Sequence, residues 1–518
     1  MNSGSERTAR LSPGNQEKIL ATLIDEAVGA GNPYVEEGSR REQLSSIREM
    51  ADEVAQLLRT SGIEPGSAVG STVPTSIEAI AAMFGIWRAG AVFVPVNPRL
   101  TPGEQDRLLT RAGAVANLSL DPAGNIALSS RDRSTSRSST MGSLLYQAAG
   151  SGSDDLAIVL TTSGTTGEPK PVALNHQRVL NGIDTVLATL RSGRTSSPNT
   201  SLGNERRVSS PNLIPVPLSL WAGIYNVLFA LRVGAGLVLL DPFEPARFAA
   251  AVREHSIRSS VLAPAMMTML ADDPSITSLE PLRFVRSITA PLSPVEARRF
   301  HDRFGVTVLN SYGQTELGGE VIGWSAADAR AFGESKLGAL GRPHAGVEVI
   351  VLDGNELAPA GTDGELCVRS PYVMAGYLDE TTRERLTPDG FLRTGDIGHI
   401  DDDGFVWLTG RVSDIINRGG LKVFPSEVEE VLRQHPAVAD VAVAGVSDRR
   451  LGEVPVAFLV PTANVPQPSD DELATHCRSS LAPYKTPVSF EWVRTLPRND
   501  IGKVLRRELV KMRTEHGS

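Results

Sequence analysis

Apolar positions follow two different periods along the chain, and each period predicts its own kind of element. Between Glu42 and Leu120, IREMADEVAQLLRTSG and IEAIAAMFGIWRAGA place apolar residues at helical spacing, whereas VFVPV is a short run typical of a buried strand. The same alternation of strand and helix returns in GAGLVLLDPFEPARFAAAVREHSIRSSVLAP and continues to about Leu309. This alternation predicts a large α/β part built of layered subdomains.

The pattern changes after Val347, where short strands are separated by Gly and Asp turns and predict a small β-rich section. After Arg411, the order is helix SEVEEVLRQHP, strands VADVAVAGV and VPVAFLV, then helix DDELATHCRSSLA. We expect this last unit to be a small α+β domain of about a hundred residues. Two Ser/Arg-rich stretches, Ser129 to Asp155 and Arg191 to Asn212, are predicted to be surface loops.

Composition narrows the class of protein. A chain of 518 residues with 41% apolar and 21% charged residues is typical of a soluble protein of two or more domains. Its net charge of −9 without a basic block argues against a nucleic-acid partner. No apolar run is long enough for a membrane span, and the polar amino terminus does not resemble a signal peptide. With Cys367 and Cys477 expected as buried free thiols, the cytoplasm is the expected location.

One stretch, TTSGTTGEPKP from Thr161 to Pro171, is dense in hydroxyls and glycines. Glycines let successive N–H groups point into one cavity, so the stretch suits a phosphate. Neither the Walker pattern nor the dinucleotide fingerprint fits it, and a solvated polar turn is the alternative. The candidate phosphate-binding residues are Thr162, Ser163, Gly164, Thr165, Thr166, Gly167 and Lys170.

The stretch also resembles the phosphate-binding signature of the adenylate-forming superfamily, which includes acyl-CoA synthetases. The resemblance recurs in order through NSYGQTELGG from Asn310, GELCVRSPYVMAGY from Gly364, GFLRTGDIG from Gly390 and GRVSDIINRGGLKVFPSEVEEVL from Gly410. It ends with LPRNDIGKVLRREL from Leu496. These strings span nearly the whole chain, so the resemblance implies the family's fold, with an N-terminal domain at 1–410, a hinge at 411–414 and a mobile C-terminal domain at 415–518.

The resemblance implies an ATP site. Glu316 would bind Mg²⁺, Thr315 the α-phosphate, and Tyr312 would stack on adenine. Asp396 would accept hydrogen bonds from both ribose hydroxyls, with Arg411 as a second contact. The remaining nucleotide-site residues would be Ala290, Pro291, Ser311, Gly313 and Gln314. Ile288 and Thr289 stand where the family commonly has small residues or glycine, so the pocket departs from the family there.

The resemblance also implies two steps joined by a domain rotation. Lys503 would bridge the acyl carboxylate and the α-phosphate during adenylation. Rotation at Ser413 would then bring Gly419 and Gly420 over the site to form a tunnel for coenzyme A. The family usually has Asp or Lys at the hinge, so the chain departs from the family at Ser413.

The acyl pocket is expected in IPVPLSLWAGIYNVLFAL from Ile214. Leu220, Trp221, Met266 and Met267 predict an apolar pocket for a hydrophobic carboxylic acid, with ordinary core packing as the alternative. We therefore expect an AMP-forming acyl-CoA ligase that uses ATP, Mg²⁺ and coenzyme A. The alternatives are an adenylate-forming enzyme that passes the acyl group to a carrier protein or partner ligase, and a non-catalytic nucleotide-binding protein. A homodimer is compatible with the sequence.

Overall fold

A computed structural model describes residues 19–131, 156–163, 169–191, 210–374, 376–377, 385–498 and 504–516. The predicted loops fall largely in 132–155 and 192–209, which lie outside these residues, as does most of the polar amino terminus. The helices are α1 Leu23–Gly31, α2 Leu44–Thr60, α3 Ile77–Arg88, α4 Pro102–Arg111, α5 His176–Arg191, α6 Trp221–Arg232, α7 Pro245–Glu254, α8 Pro264–Asp272, α9 Pro294–Phe304, α10 Ala326–Phe332, α11 Pro425–Arg433, α12 Asp470–Ser480 and α13 Arg506–His516.

The two helices predicted near the amino terminus form as expected and pack on each other. In α2, Ile47, Ala51, Val54 and Leu58 recur at helical spacing and are buried. Burying each of the larger aliphatic side chains contributes about 1.5–3 kcal/mol. The backbones approach closely where α3 has Gly85, because a Cβ there would lie 2.5 Å from the Val54 side chain.

A mixed sheet of seven strands, with three parallel and three antiparallel pairs, forms the centre of the large part in the order β20-β8-β7-β4-β3-β5-β6. The predicted strand VFVPV is its buried β4. The parallel pairs β3 with β4, β3 with β5 and β4 with β7 confirm the α/β prediction. The strands are β3 Ala68–Ser71, β4 Val92–Pro95, β5 Ala116–Leu120, β6 Ile126–Ser130, β7 Leu156–Ser163, β8 Pro169–Asn175 and β20 Gly376–Tyr377.

Four smaller sheets complete the large part. Two contain parallel pairs, one with the order β2-β1-β10-β9 and one with the order β11-β12-β13. A three-stranded sheet, β14-β15-β16, follows, and the predicted β-rich section forms the sheet β18-β17-β19-β21-β22. The strands are β1 Tyr34–Glu37, β2 Arg40–Gln43, β9 Asn212–Ile214, β10 Leu237–Leu239, β11 Ser259–Leu262, β12 Phe284–Ser287, β13 Thr307–Asn310, β14 Tyr312–Gln314, β15 Gly319–Gly323, β16 Arg342–Pro343, β17 Glu348–Asp353, β18 Glu356–Leu357, β19 Gly364–Arg369, β21 Leu392–Ile400 and β22 Val406–Arg411.

The carboxyl-terminal unit is the predicted α+β module. Helices α11, α12 and α13 accompany a five-stranded sheet in which β26 pairs with β23, β25 and β27. Its core includes Val441, Leu459, Leu473 and Cys477, and Cys477 is a free, buried thiol as expected. The strands are β23 Ile416–Arg418, β24 Leu421–Val423, β25 Val438–Asp448, β26 Gly452–Pro461 and β27 Ser489–Trp492.

Both ends of the stretch TTSGTTGEPKP belong to strands. Thr161, Thr162 and Ser163 continue strand β7 and pair with Pro171, Lys170 and Pro169 of β8. Only 164–168 stand between the two strands, and these lie outside the described residues. The β-branched threonines favour the strand, and both prolines lie near the end of the hairpin.

The small module contacts the large part directly. The Ser293 hydroxyl, just before α9, donates to the Glu430 carboxylate of α11 at 2.6 Å, and the Ser426 hydroxyl donates to the Thr409 carbonyl. Across the described ranges, we find no helix that is long and apolar enough to cross a membrane.

Candidate active site

A cavity of about 2200 Å³ opens between the large part and the small module. Residues that follow the carboxyl ends of the parallel strands β12 and β13 form one side of it, the place where open α/β sheets bind ligands. Helices α11 and α13 contribute from the small module. The lining includes Ala290, Gln314, Glu316, Arg411, Glu430 and Arg506.

The Asp396 carboxylate, only 2% exposed, is the centre of a hydrogen-bond network beside this cavity. Its Oδ2 accepts from the Tyr312 hydroxyl at 2.8 Å and from Gln314 Nε2 at 2.7 Å. Its backbone N–H donates to the Thr394 hydroxyl at 3.0 Å. The register of β21 and β22 places Asp396 opposite Arg411. Asp396 is therefore held in a fixed position relative to these four neighbours.

Arg411 completes the network as an ion pair. Its Nε lies 2.8 Å from Asp396 Oδ1, without the alignment of a good hydrogen bond, and its side chain is 40% exposed. Burial raises the pKa of the Tyr312 hydroxyl far above its ordinary value, and the Asp396 charge raises it further. Tyr312 therefore stays protonated and remains a donor. Arg411 lines the cavity, whereas Tyr312 and Asp396 lie behind its surface.

The segment after β12 carries a strained residue. Thr289 has φ +73°, in the left-handed region that β-branched residues rarely adopt. It lines the cavity together with Ile288, Ala290 and Pro291, and the Ala290 N–H donates to the Ile288 carbonyl at 3.0 Å. This is the position where the sequence departs from the family's small residues. The turn keeps its left-handed conformation although a threonine occupies it.

Thr315 and Glu316 form a short 3-10 helix directly after β14, and both line the cavity. Glu316 is 9% exposed, and its Oε1 lies 3.4 Å from Arg385 Nη1. A cavity-lining carboxylate next to a hydroxyl suits Mg²⁺, which binds through one or two carboxylates with phosphate oxygens and water. These residues therefore fit the predicted metal. Ser311 and Gly313 also line the cavity, and the Ser311 hydroxyl donates to Glu320 Oε2 at 2.6 Å.

The predicted phosphate-binding residues are only partly described. Lys170 lies at the start of β8 and lines the cavity. Thr162 and Ser163 belong to strand β7, while Gly164, Thr165, Thr166 and Gly167 lie outside the described residues. Lys503 lies outside them too.

Half of the predicted acyl pocket lies on the cavity surface. Leu220 and Trp221, at the start of α6, line it, and so do Tyr225 and Phe229 one and two turns later. Met266 and Met267 do not. Met267 is 2% exposed and packs in the core below α8, and Met266 is partly buried against two cores. The residues of α8 that line the cavity are Pro264, Ala265, Thr268 and Met269.

The hinge lies at the cavity, but the predicted tunnel glycines do not. Ser413 lines the cavity and donates to Asp414 Oδ1 at 2.9 Å. Gly419 and Gly420 are the two turn residues between β23 and β24, with φ +60° and +90°. A two-residue hairpin turn of this type requires positive φ at both positions, which explains both glycines locally. Their tunnel role stays a prediction.

A buried charged cluster in the cavity wall was missed by sequence reasoning. The Arg286 guanidinium of β12 is ion-paired with the Glu320 carboxylate of β15, and both line the cavity. His344 Nε2 lies 3.0 Å from Glu320 Oε1. Burial alone would raise the pKa of Glu320, but Arg286 and the hydrogen bonds from His344 and Ser311 hold it below its ordinary value. The one signal in the sequence was an arginine inside the short strand FVRS.

Comparison with known proteins identifies the class that this fold and site define. The family model of the AMP-binding enzyme matches residues 33–378, and that of the AMP-binding enzyme C-terminal domain matches residues 427–503. The chain belongs to the AMP-binding enzyme family, and it is an adenylate-forming ligase by fold and by homology.

Individual relatives are similar over most of their length. The chain is 31% identical to the fatty acid–[acyl-carrier-protein] ligase ScoC of Streptomyces coeruleorubidus, over 89% of each chain. It is 32% identical to a feruloyl-CoA synthase of Amycolatopsis sp, over 89% of this chain and 92% of the relative. The solved amide bond synthetase McbA from Marinactinospora thermotolerans is 27% identical, with a TM-score of 0.78 over 95% of this chain and 99% of that one.

Proposed function

We propose that this protein is an AMP-forming acyl-CoA ligase. In the first half-reaction, a carboxylate oxygen of the acid bonds to the α-phosphorus of ATP while the bond to pyrophosphate breaks. In the second, the sulfur of coenzyme A bonds to the acyl carbon, AMP leaves and the thiol proton is released. The observation that carries the proposal is the single cavity onto which Lys170, Thr315, Glu316 and Arg411 all face.

Asp396 is the proposed acceptor for the ribose hydroxyls. Tyr312 and Gln314 fix its Oδ2, whereas its Oδ1 is paired with the half-exposed Arg411. We propose that a ribose hydroxyl takes the place of Arg411 at Oδ1, which the 40% exposure of the Arg411 side chain supports. The contacts support Tyr312 as a positioning residue for Asp396, and its stacking on adenine stays a prediction.

Adenylation builds negative charge on phosphoryl oxygens, so the site needs fixed positive charge and donors. Lys170 and the Thr315 hydroxyl supply a cation and a donor from this chain. Glu316 would hold Mg²⁺, which supplies charge neutralisation at the phosphates when bound. Lys503 would add an ammonium from the small module. With the hinge at 411–414, we propose domains at 1–410 and 415–518 that change their relative orientation between the two half-reactions.

The acyl acceptor has two candidates. Coenzyme A is favoured by relatives such as the feruloyl-CoA synthase, whereas the similarity to an acyl-carrier-protein ligase over 89% of the chain favours a carrier protein. Both acceptors present a phosphopantetheine thiol, so the first half-reaction is the same for either. Thioester formation with free coenzyme A and with a phosphopantetheinylated carrier protein, measured side by side by mass, distinguishes them.

The experiment that tests this function is acid-dependent exchange of pyrophosphate into ATP by Lys503→Ala. We expect the exchange rate to fall by about 100-fold to 1000-fold, the usual cost of losing one transition-state donor, while ATP binding is retained. The matched control is Lys511→Ala, because Lys511 is an exposed lysine of α13 whose ammonium pairs with Glu508. Exchange that is equally fast in both variants and in the wild type would contradict the role of Lys503.

A further inference from the structure

Helix α6 forms one wall of the cavity with aromatic side chains, two of which carry a hydrogen-bond donor. Trp221 and Tyr225 are one turn apart on the same face of the helix, with ring centroids 5.6 Å apart in an edge arrangement. Phe229 continues the same face, and all three line the cavity. An acyl group bound by the proposed ligase would therefore lie against this wall.

Two hydrogen-bond donors in this wall are buried and unused. Among the described residues, neither the Trp221 Nε1–H nor the Tyr225 hydroxyl has a hydrogen-bond partner, although both atoms are shielded from solvent. Buried polar groups in proteins are normally satisfied, so such atoms call for an explanation. The indole of Trp87 shows the ordinary case, because its Nε1–H donates to the Ala157 carbonyl at 2.8 Å. A bound ligand is the natural partner for two such donors on residues that line a cavity.

The position of the Tyr225 hydroxyl is set by close packing. Gly319 leaves the space for the ring, because a Cβ at that position would lie 2.8 Å from Tyr225 Cε2. Burial raises the pKa of the Tyr225 hydroxyl far above its ordinary value, and the negative charge of Glu320 raises it further. The phenol therefore remains protonated and offers its hydrogen to an acceptor.

The charges in the same cavity indicate that the acceptor is neutral. Arg286 is a partly buried cation of this cavity, and Glu320 pairs with it directly. His344 and Ser311 also hydrogen-bond with Glu320, so the carboxylate is fixed in place opposite Arg286. A second carboxylate of the substrate placed at this ion pair would meet a cation whose charge Glu320 already compensates, so its desolvation would be poorly offset there.

We propose that the acid activated by this protein carries an uncharged oxygen acceptor, such as a ketone, ether or hydroxyl, in its acyl group, and that Tyr225 and Trp221 bind it. This inference rests on the proposed function and makes the two residues determinants of specificity. It refines the expectation of a purely hydrophobic acid, because the aromatic wall would pack on the carbon skeleton while its two donors select for oxygen.

The test compares matched acids in pyrophosphate–ATP exchange. The first pair is para-methoxybenzoate and para-ethylbenzoate, the second is seven-oxooctanoate and octanoate, and octanedioate is the charged analogue. In wild type, we expect the oxygenated member of a pair to have about a tenfold higher kcat/KM, the usual value of one hydrogen bond to a neutral group. Octanedioate should fall below seven-oxooctanoate.

The variant Tyr225→Phe keeps the ring and removes only the hydroxyl. It should reduce the preference for the oxygenated acid to about twofold or less while leaving the KM for ATP unchanged. Tyr372→Phe is the matched control, because Tyr372 is buried but does not line the cavity. Thermal melting of both variants confirms that they are folded.

Each outcome has one meaning. Equal rates within both pairs, or a preference that survives in Tyr225→Phe, would overturn this inference and leave the proposed ligase function standing. Absence of exchange with every acid, together with absence of any acyl-AMP by mass, would contradict the proposed function itself.

Discussion

The two sides of the cavity differ in how completely their polar groups are paired. On the side of Asp396, the Tyr312 hydroxyl and the Gln314 amide donate to Oδ2, and Arg411 is ion-paired with Oδ1 at 2.8 Å although Oδ1 accepts no aligned hydrogen bond. On the side of α6, the Trp221 and Tyr225 donors are buried and have no partner among the described residues. The first side is organised before any ligand binds, whereas the second is completed only by the ligand.

This difference corresponds to the two kinds of substrate in the proposed reaction. The nucleotide is common to every adenylate-forming enzyme, so a carboxylate whose Oδ2 is already fixed by two donors needs little reorganisation when ATP binds. The acid differs between enzymes, and unpaired donors are a strong means of selecting it, because the wrong acid leaves them unsatisfied. One cavity can therefore bind ATP through groups that are already in position and select the acid through donors that only the right acid satisfies.

The largest effect is expected from breaking the paired side. Asp396→Asn keeps the size of the side chain but removes the negative charge that pairs with Arg411. It also replaces one carboxylate oxygen by an N–H₂ group, which cannot accept a hydrogen bond from Tyr312 or Gln314. The amide removes the charged acceptor proposed for both ribose hydroxyls, and each hydrogen bond to a charged group contributes about 1.5–3 kcal/mol, so we expect kcat/KM for ATP to fall by about 100-fold. The KM for the acid should change little, and exchange kinetics with each substrate varied in turn measure both.

The control for this variant is Asp184→Asn on the surface. The Asp184 Oδ1 lies 2.8 Å from Arg232 Nε, the same separation as in the Asp396 pair, but the Asp184 side chain is 47% exposed. Exposed pairs contribute about 0–1 kcal/mol, so this variant should behave like wild type. If Asp396→Asn raised the KM for the acid as much as that for ATP, the division between the two sides would be wrong.

A smaller effect, confined to the acid, is expected from displacing Tyr225. In Gly319→Ala, the new methyl group meets the tyrosine ring at 2.8 Å, and the backbone has φ +143°. The hydroxyl must shift, so kcat/KM for the acid should fall by about tenfold while the KM for ATP is retained. Gly361→Ala is the control, because it also places a side chain at positive φ, +72°, but meets nothing within 4 Å. Loss of ATP affinity in Gly319→Ala alone would contradict the assignment of this side to the acid.

The sequence predicted the elements well where local signals were strong. Helix α2 has an amphipathic repeat, and β4 is an uninterrupted apolar run, so their burial follows from their own residues. Met266 and Met267, which were predicted to line the acyl pocket, show where prediction from the sequence fails. In α8, Ala265, Thr268 and Met269 share the face toward the cavity, whereas Met267 faces the core. An apolar helix fits either orientation until its neighbours are known.

The charged part of the acyl wall could not be predicted because it depends on tertiary contacts. Arg286 and Glu320 are on different strands, and His344 joins them from further along the chain. None of these residues belongs to a spacing pattern, and each would be a surface charge by default. The Asp396 network, in contrast, was found because recognisable motifs carry its members. The hydrogen bonds within it still required the structure.

The most direct test of the central claim follows the oxygen atoms of the acid. In adenylation, the carboxylate oxygen that bonds to the α-phosphorus stays with AMP when the thiol displaces it. With an acid labelled with oxygen-18 in both carboxylate positions, coenzyme A and ATP, mass spectrometry should find one labelled oxygen in each AMP released and none in pyrophosphate. Label in inorganic phosphate with release of ADP, or thioester formation with unlabelled AMP, would contradict an acyl-adenylate as the intermediate.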